Sequence, residues 1–374
     1  MKIGLFADSY KPYISGVTVS VNTLADELER MGHTVRIFAP AYMGHSEHGP
    51  KLFRCPSLPT RYPNFRIALP FYPGIAPVIK DLDIIHSHSP FQMGWLARYF
   101  AKKYHIPYVY TFHTLFEQYA HYVPLLPARW TRGIISKLIN MFCNRCSAVI
   151  VPTPKIKEYL LSKNVTKPIH VIPTGIDTVT IHAADKVAVR RRHGISDSCK
   201  VLVYVGRLTK EKNIPFLIRA LAMSLKKHPT AKFLISATGP QESTYKKLAK
   251  QLGIDHQAIF AGQHAPPEVF NYYAAGDIFV FASVTETQGL VIAEAKAAGL
   301  PVVAVNAQGV ADAVVDAVDG FLCPQNETAF AEKLDYLLEN DFARKVMGQA
   351  ARVNAEKFSA RLIAEQIFAV YTSL

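Results

Sequence analysis

Two glutamates eight residues apart, Glu286 and Glu294, stand in a segment that combines carboxylates with a predicted helix start. The segment, 285–299 (TETQGLVIAEAKAAG), lies between two apolar runs that predict buried strands. Apolar residues recur at helical spacing from Leu290, which predicts a helix over 289–298 with Glu286 before it and Glu294 about one turn inside. The N–H groups at its start lack intrahelical partners and attract anions. Two carboxylates that can accept hydrogen bonds from sugar hydroxyls thus flank a phosphate site, and a nucleotide-sugar has both kinds of group.

Two cations follow another strand-like run, VLVYV, in the segment 206–213 (GRLTKEKN). Arg207 leaves the end of that strand, and Lys212 precedes a helix start for which Asn213 is the expected N-cap. Arginine can bind two phosphate oxygens at once, whereas lysine acts as a point charge. The pair therefore predicts a diphosphate site; two solvated basic residues beside a turn are the alternative.

Further polar residues follow strands in the first half of the chain. Gly16, in 9–20 (SYKPYISGVTVS), lets the backbone approach a phosphate closely. This loop is not the G-x-G-x-x-G fingerprint, which disfavours a nicotinamide enzyme. His113 closes a strand and is expected to project into a cleft. The spacing of His86 and His88 suits a metal, but no acidic or cysteine partner is apparent, so a positioning role is expected.

The order of elements predicts an α/β fold. Strand-like and helix-like stretches alternate in the first half of the chain, and the alternation resumes after a break at 172–177 (IPTGID). Two successive Rossmann-like domains facing a central cleft are expected, with 1–175 as the first and 176–358 as the second. Ligands of such sheets bind at the carboxyl ends of the strands.

Composition excludes several classes of protein. The 374 residues suit two domains, and no long uncharged run predicts a transmembrane helix. Lys2 begins a strand, which leaves no room for a signal peptide. Cys143 and Cys146 form a CxxC without a second pair, so ordinary helix-face cysteines in a reducing cytoplasm are expected.

The net charge of +13 is concentrated in one half of the chain. Residues 1–175 hold 20 Lys and Arg against 9 Asp and Glu, whereas the remainder holds 22 against 20. Nucleic acid and an anionic membrane are both candidate partners. The stretch 125–142, which contains Arg129, Trp130 and Arg132, predicts a basic amphipathic helix lying on anionic bilayers; a core helix with solvated cations is the alternative.

Together these motifs resemble the donor site of the retaining glycosyltransferase family 4, which has the GT-B fold. The resemblance covers essentially the whole chain: the E-x7-E pattern enclosing Gly289, the G-R-x-x-x-x-K run at 206–212, and the loop before Gly16, where Ser15 replaces a common second glycine. It implies that the final segment, 359–374, is a helix returning to the first domain, which would bind the acceptor and face the membrane.

The resemblance also implies a role for each site residue. Glu286 would hold the sugar hydroxyls and Glu294 the ribose hydroxyls. The N–H groups of Gly289 and Leu290 would take the β-phosphate. Arg207 and Lys212 would bind the diphosphate. Gly16 would contact a phosphate across the cleft, and His113 would contact the transferred sugar.

Transfer is expected to need no metal ion or other cofactor. No Asp-x-Asp follows a strand, since the pair Asp81 and Asp83 precedes one. Arg207, Lys212 and the open helix end can neutralise the leaving nucleoside diphosphate instead. Retention follows from the resemblance, and a front-face mechanism, in which the departing phosphate helps deprotonate the acceptor, would need no protein nucleophile.

Lipid-directed members of the family are most similar to this sequence. The stretches 4–21 and 61–73 (RYPNFRIALPFYP) resemble bacterial 1,2-diacylglycerol 3-glucosyltransferases. This implies transfer of glucose from UDP-glucose to diacylglycerol, by an enzyme peripheral on the inner face of the cell membrane. One alternative is a family-4 transferase with a different lipid or a soluble acceptor, for example one that transfers mannose from GDP-mannose to a phosphatidylinositol-type lipid. Another is a sugar-nucleotide epimerase or a phosphorylase with the same GT-B fold. No nucleic-acid partner is expected, because no RNA-binding or helix-turn-helix motif is present.

Overall fold

A computed structural model of the chain describes residues 1–13, 15–42, 49, 51–60, 66–69, 73–113 and 128–374, except for the side chains of 128–132 and 308. The contacts divide it into two compact units. The first comprises Met1–Gly175 together with Ala360–Leu374, and the second comprises Ile176–Ser359. The last helix thus packs with the first half of the sequence.

The first unit contains a parallel sheet of seven strands, in the order β3-β2-β1-β6-β7-β8-β9. The two remaining strands, β4 and β5, form a separate antiparallel pair. The order reverses between β1 and β6, where the register places Ile3 opposite Ile84. The strands are β1 (Lys2–Phe6), β2 (Thr34–Pro40), β3 (Leu52–Cys55), β4 (Ser57–Pro59), β5 (Arg66–Ala68), β6 (Ile84–Ser87), β7 (Tyr108–Thr111), β8 (Ala148–Val151) and β9 (Ile169–Val171).

Helices cover both faces of this sheet, as its buried apolar strands require. One face packs against the first and last helices of the chain, through residues such as Leu24 and Ile363. The other face packs against the helices between, through residues such as Leu96 and Phe142. The helices are α1 (Gly16–Arg30), α2 (Ala76–Lys80), α3 (Gln92–Tyr104), α4 (Ala128–Cys143), α5 (Pro154–Ser162) and, at the end of the chain, α15 (Ala360–Thr372).

The second unit is a six-stranded parallel sheet in the order β12-β11-β10-β13-β14-β15, so its order reverses between β10 and β13. Its strands are β10 (Val201–Arg207), β11 (Lys232–Thr238), β12 (Ala258–Phe260), β13 (Ile278–Phe281), β14 (Val302–Val305) and β15 (Gly320–Cys323). Its helices are α6 (Thr178–His182), α7 (Lys186–Arg192), α8 (Ile214–Lys227), α9 (Glu242–Gln251), α10 (Glu268–Ala274), α11 (Leu290–Ala297), α12 (Gln308–Ala313), α13 (Glu327–Glu339) and α14 (Asp341–Ala355).

The α/β prediction is confirmed, and apolar runs located five strands of each sheet closely. The edge strands β3, β9 and β15 were not predicted. Asn213 is the N-cap residue of α8, as predicted, but its backbone is left-handed (φ 54°) and its side chain makes no capping hydrogen bond; asparagine tolerates that conformation well. One local prediction is wrong. Cys143 ends α4, whereas Cys146 is buried in the turn beyond it, so only the first lies on a helix.

No helix in the part of the chain that the structure describes is both long enough and apolar enough to cross a bilayer.

Candidate functional site

The reversal of strand order in the second unit brings two loops to one edge of the sheet. β10 ends at Arg207 and β13 ends at Phe281, and the two strands are neighbours. Their following loops therefore emerge side by side, which is where parallel sheets bind ligands. One loop leads to Lys212 and α8, and the other leads through Glu286 to α11. The predicted cationic and acidic motifs thus belong to one site.

Lys212 and Glu286 form an ion pair between Nζ and Oε1. Both side chains are largely buried, with exposed fractions of 15 % and 17 %. Ser283 Oγ donates to the backbone oxygen of Glu211 over 3.2 Å and so joins the same two loops. The sequence predicts separate roles for Lys212 and Glu286, and the structure brings their charges together.

Arg207 presents its guanidinium at the edge of this site. Its side chain is 55 % exposed, and Nη2 lies 3.3 Å from Oε1 of Glu211, whose own side chain is mostly buried. The guanidinium is thus open to solvent, whereas its carboxylate partner is not. A ligand can reach the exposed side of Arg207 while the contact with Glu211 holds the guanidinium at the edge of the site. Glu211 was not singled out from the sequence, where it is one of several charged residues in the loop.

The start of α11 is shaped by two glycines. Gly289 directly precedes the helix with φ of +74°, a conformation in which a side chain would be strained. Gly309 in α12 donates its N–H to the oxygen of Glu286 over 3.1 Å. A Cβ on Gly309 would lie 2.5 Å from the carbonyl group of Thr287, so this contact requires glycine. The loop before α11 is held firmly. The first intrahelical bond is donated by Ile292 to the oxygen of Gly289, so the N–H groups of Leu290 and Val291 form the open helix end.

Glu294 lies in the second turn of α11 and binds Tyr273 of α10. The Tyr273 hydroxyl donates to Oε2 over 2.7 Å. Burial raises the pKa of Glu294 to about 7, and the hydrogen bond from Tyr273 opposes that shift. Glu294 therefore changes charge near neutral pH. Tyr273 was missed by sequence reasoning, because a tyrosine in an apolar helix gives no signal of a site.

This shift predicts how donor binding depends on pH. If ionised Glu294 accepts from ribose hydroxyls, the KM for the donor should rise about tenfold for each pH unit below about 7, where the carboxyl group is protonated. Tyr273→Phe removes the bond that favours ionisation, so the inflection should move to higher pH. Initial rates between pH 5.5 and 8.5 measure both effects. An inflection that Tyr273→Phe leaves unmoved would contradict this role for Glu294.

A fully buried ion pair anchors the same helix. Lys296 Nζ lies 2.6 Å from Oδ2 of Asp319, and both side chains are inaccessible to solvent. Lys296 also donates to the oxygen of Ala313 at the end of α12 over 2.8 Å, and Asn354 of α14 donates to Asp319 over 2.8 Å. A buried pair is tolerated only when its remaining polar atoms are bonded in this way. The network fixes α11 against α12 and α14.

In the first unit, the predicted histidines form one stack at the ends of β6 and β7. His86 Nδ1 lies 2.5 Å from the hydroxyl of Tyr371, and Nε2 lies 2.6 Å from Oγ1 of Thr111. The His88 ring lies between those of His86 and His113, at centroid distances of 4.3 and 5.3 Å. His88 Nδ1 is 3.0 Å from Nε2 of His113. His86 and His88 are thus held by neighbouring side chains, and their role in positioning the acceptor stays a prediction.

All three imidazoles are neutral at pH 7. Burial lowers the pKa of His113 to about 4 and that of His86 to about 3, and it holds the pKa of His88 well below its usual value. A ring with so low a pKa is a weak base and carries no positive charge near neutrality. His113 is therefore suited to hydrogen bonding as a neutral ring.

A buried aspartate that sequence reasoning missed lies where the strand order of the first unit reverses. Asp8 follows β1; it accepts from the N–H of Met93 over 2.9 Å and from Ser89 Oγ over 2.5 Å. Burial raises its pKa to about 6. Nearby, Gly16 is the first residue of α1, and Ser15 Oγ caps that helix by accepting from the N–H of Thr18. An acidic residue directly after a buried strand was the signal that could have indicated Asp8.

Parts of the predicted acceptor region lie outside the described residues. In 61–73, only 66–69 and Pro73 are described; Arg66 donates from Nε to Ser57 Oγ over 2.7 Å across the β4–β5 pair. In 125–142, residues 125–127 and the side chains of Arg129, Trp130 and Arg132 are likewise outside. The described part of α4 exposes Ile134, Lys137 and Leu138 and buries Phe142.

Comparisons with known proteins agree with this arrangement. Residues 14–180 match the model of Glycosyltransferase Family 4, and residues 185–354 match that of Glycosyl transferases group 1. An alpha-monoglucosyldiacylglycerol synthase of Streptococcus pneumoniae is 34 % identical over 81 % of this chain and 71 % of the relative. The chain is a family-4 glycosyltransferase.

Other relatives of this glycosyltransferase show the range of the family. A synthase of the same name from Acholeplasma laidlawii is 31 % identical over 100 % of the chain and 97 % of the relative. A D-inositol 3-phosphate glycosyltransferase of Corynebacterium aurimucosum is 33 % identical over 78 % of the chain and 72 % of the relative. The structure of Anabaena HepE, in complex with UDP and glucose, superposes with a TM-score of 0.79 at 21 % identity and covers 100 % of both chains. The GT-B fold that the sequence predicted is thereby confirmed.

Proposed function

We propose that this glycosyltransferase transfers glucose from UDP-glucose to the free hydroxyl of 1,2-diacylglycerol, with retention of configuration and without a metal ion. The products are monoglucosyldiacylglycerol and UDP. Two relatives that bear the name of such a synthase support the acceptor and sugar. The observation that carries the proposal is the paired Lys212 and Glu286 beside the open end of α11.

Lys212 and Arg207 take the diphosphate of the donor. Lys212 Nζ is held by its ion pair with Glu286 of the neighbouring loop, so its charge is fixed in place. The exposed guanidinium of Arg207 can bind two phosphate oxygens at once. The N–H groups of Gly289 and Leu290 bind the β-phosphate at the helix end. Glu286 accepts from the sugar hydroxyls, and Glu294 accepts from the ribose hydroxyls.

The reaction breaks the bond between C1 of glucose and the β-phosphate oxygen and forms one between C1 and the acceptor oxygen. In the front-face mechanism both events occur on the same side of the sugar, and the acceptor proton passes to the departing phosphate. Lys212, Arg207 and the open end of α11 stabilise the negative charge that develops on UDP, as a metal ion does in other transferases. Neutral His113 holds the transferred sugar by hydrogen bonding, and Gly16 admits a phosphate close to the backbone.

The acceptor reaches the enzyme from the inner face of the cell membrane. Ile134 and Leu138 are about half exposed on α4 with Lys137 between them, so the described part of this helix combines apolar and cationic groups. Such a surface suits an anionic bilayer. The excess of positive charge in residues 1–175 favours the same partner.

Chromatography of the lipid fraction tests the proposal. The enzyme is incubated with labelled UDP-glucose, UDP-galactose or GDP-mannose, and with vesicles that contain either diacylglycerol or phosphatidylinositol. Labelled monoglucosyldiacylglycerol is expected from UDP-glucose, with little product from the other donors. Product from GDP-mannose and phosphatidylinositol would instead establish the alternative donor and acceptor. Release or epimerisation of the sugar without any lipid product would overturn transfer to lipid.

A further inference from the structure

Two arginines of the first unit hold the same tryptophan ring. The guanidinium carbon of Arg98 lies 5.4 Å from the centroid of Trp95, and that of Arg145 lies 5.9 Å from it. Trp95 and Arg98 belong to α3, whereas Arg145 follows the end of α4. The ring of Phe142 meets Trp95 edge-on at 5.4 Å and supports it from α4. Both guanidiniums therefore lie within 6 Å of the centroid of one tryptophan ring.

These arginines have no acidic partner in the described part of the chain. α3 and α4 contain no Asp or Glu. From 84 to 157 the sequence has nine Lys and Arg and a single acidic residue, Glu117, which lies outside the described residues. Nε of Arg98 is buried without a hydrogen-bond partner. Burial, and then the charge of Arg145, lower the pKa of Arg98. Neighbouring guanidiniums without carboxylates are an arrangement suited to an anion with several oxygens.

The surroundings of the pair favour a membrane as the source of that anion. Phe91, which directly precedes α3, and Tyr99 of α3 lie four residues on either side of Trp95, and both are exposed. α4 adds the exposed Ile134 and Leu138. A free phosphate or a nucleic-acid backbone would gain nothing from exposed aliphatic side chains, whereas a bilayer accepts them beneath its headgroups.

We propose that Arg98 and Arg145, held by Trp95, bind the phosphate of an anionic lipid headgroup. This inference rests on the proposed function only in placing the enzyme at a membrane, and it assigns a specific site to that contact. The planar guanidiniums bind the phosphate oxygens by paired N–H donors. The aromatic and aliphatic side chains beside them enter the outer part of the bilayer.

Sedimentation with vesicles tests the site in the full chain. Vesicles of phosphatidylcholine alone are compared with vesicles that contain 30 % phosphatidylglycerol. Arg98→Gln/Arg145→Gln should weaken binding to the anionic vesicles about tenfold. Arg98→Lys/Arg145→Lys keeps both charges but loses the paired donors, and it should weaken binding at least threefold. The control is Arg30→Gln/Arg361→Gln, which removes two exposed arginines from helices on the opposite face of the sheet and should change binding less than twofold.

The outcomes separate a headgroup site from diffuse charge attraction and from a site for a different anion. Equal losses in the control and the Gln pair, with no loss in the Lys pair, would show diffuse attraction and overturn the proposal. Displacement of the wild type from anionic vesicles by inorganic phosphate, but not by chloride of equal ionic strength, would show that free phosphate satisfies the site and would contradict a lipid-specific role. Tight binding of a short single-stranded RNA through the same arginines would overturn it as well.

Activity measurements keep this proposal distinct from the proposed function. The vesicles in the binding assay contain no diacylglycerol or UDP-glucose, so their result stands even if no glucosyl transfer occurs. With diacylglycerol dispersed in neutral detergent, both arginine variants should retain wild-type turnover of UDP-glucose. Thermal unfolding of each variant by circular dichroism checks that the first unit is folded, and a variant that binds vesicles normally while folded would contradict the site.

Discussion

Replacing Lys212 by methionine should lower kcat/KM for UDP-glucose by about 10²- to 10³-fold, because one fixed positive charge is lost where the leaving diphosphate develops its charge. The loss should fall mainly on kcat. The ground-state donor keeps Arg207 and the open end of α11, whereas the transition state carries more charge than these can offset. Steady-state kinetics with labelled UDP-glucose and a lipid acceptor measure the effect.

The matched control for this substitution is Lys210→Met in the same loop. Lys210 is exposed and only two residues before Lys212, so its removal changes the local charge equally. Its kcat/KM should stay within about threefold of the wild type, since an exposed cation acts through high dielectric. Similar losses in the two variants would mean that general positive charge, and not the position of Lys212, drives the reaction.

Replacing Glu286 by glutamine should also lower kcat/KM, by about 10²-fold, because the carboxylate pairs with Lys212 and, in the proposed reaction, accepts from the sugar hydroxyls. Glutamine preserves the shape but accepts hydrogen bonds more weakly. Glu242→Gln is the control and should have no effect, because this partly exposed carboxylate at the start of α9 pairs with Lys246 and lies outside the site. Retention of full activity by Glu286→Gln would remove it from the site.

The double variant Lys212→Met/Glu286→Gln shows whether the ion pair acts as a unit. Its loss should be well below the product of the two single losses, because either change alone disturbs the same contact. In chemical denaturation each single variant should lose stability, because it leaves one largely buried charge without its partner, and the double variant should lose less because both charges are removed. Strictly multiplicative losses would contradict direct coupling.

Local patterns in the sequence were sufficient for the fold class and for placing the candidate residues Arg207, Lys212 and Glu286 after strands. Apolar runs such as VLVYV located β10, and the charged residues that follow it located Arg207 and Lys212. Parallel strands must deliver these residues to one edge of a sheet, which is why strand position and chemistry could be read together.

Contacts between distant residues could not be read in the same way. Lys212 and Glu286 are 74 residues apart, and their pairing depends on the strand order β10–β13. Tyr371 meets His86 across 285 residues, because the last helix packs on the first sheet. Tyr273 and Lys296 lie in apolar helices, where neither a tyrosine nor a buried lysine has a recognisable spacing. Their roles follow from packing, which a single sequence does not display.

The most direct test of metal-independent transfer is the rate of glucosyl transfer after complete removal of divalent metal ions. The enzyme is treated with EDTA and desalted, and labelled UDP-glucose is then supplied with diacylglycerol vesicles in the presence of chelator or of Mg²⁺. If Lys212, Arg207 and the open end of α11 neutralise the leaving UDP, labelled monoglucosyldiacylglycerol should form at equal rates in both. Transfer that stops with chelator and returns with Mg²⁺ would contradict that role for the two cations and the helix end.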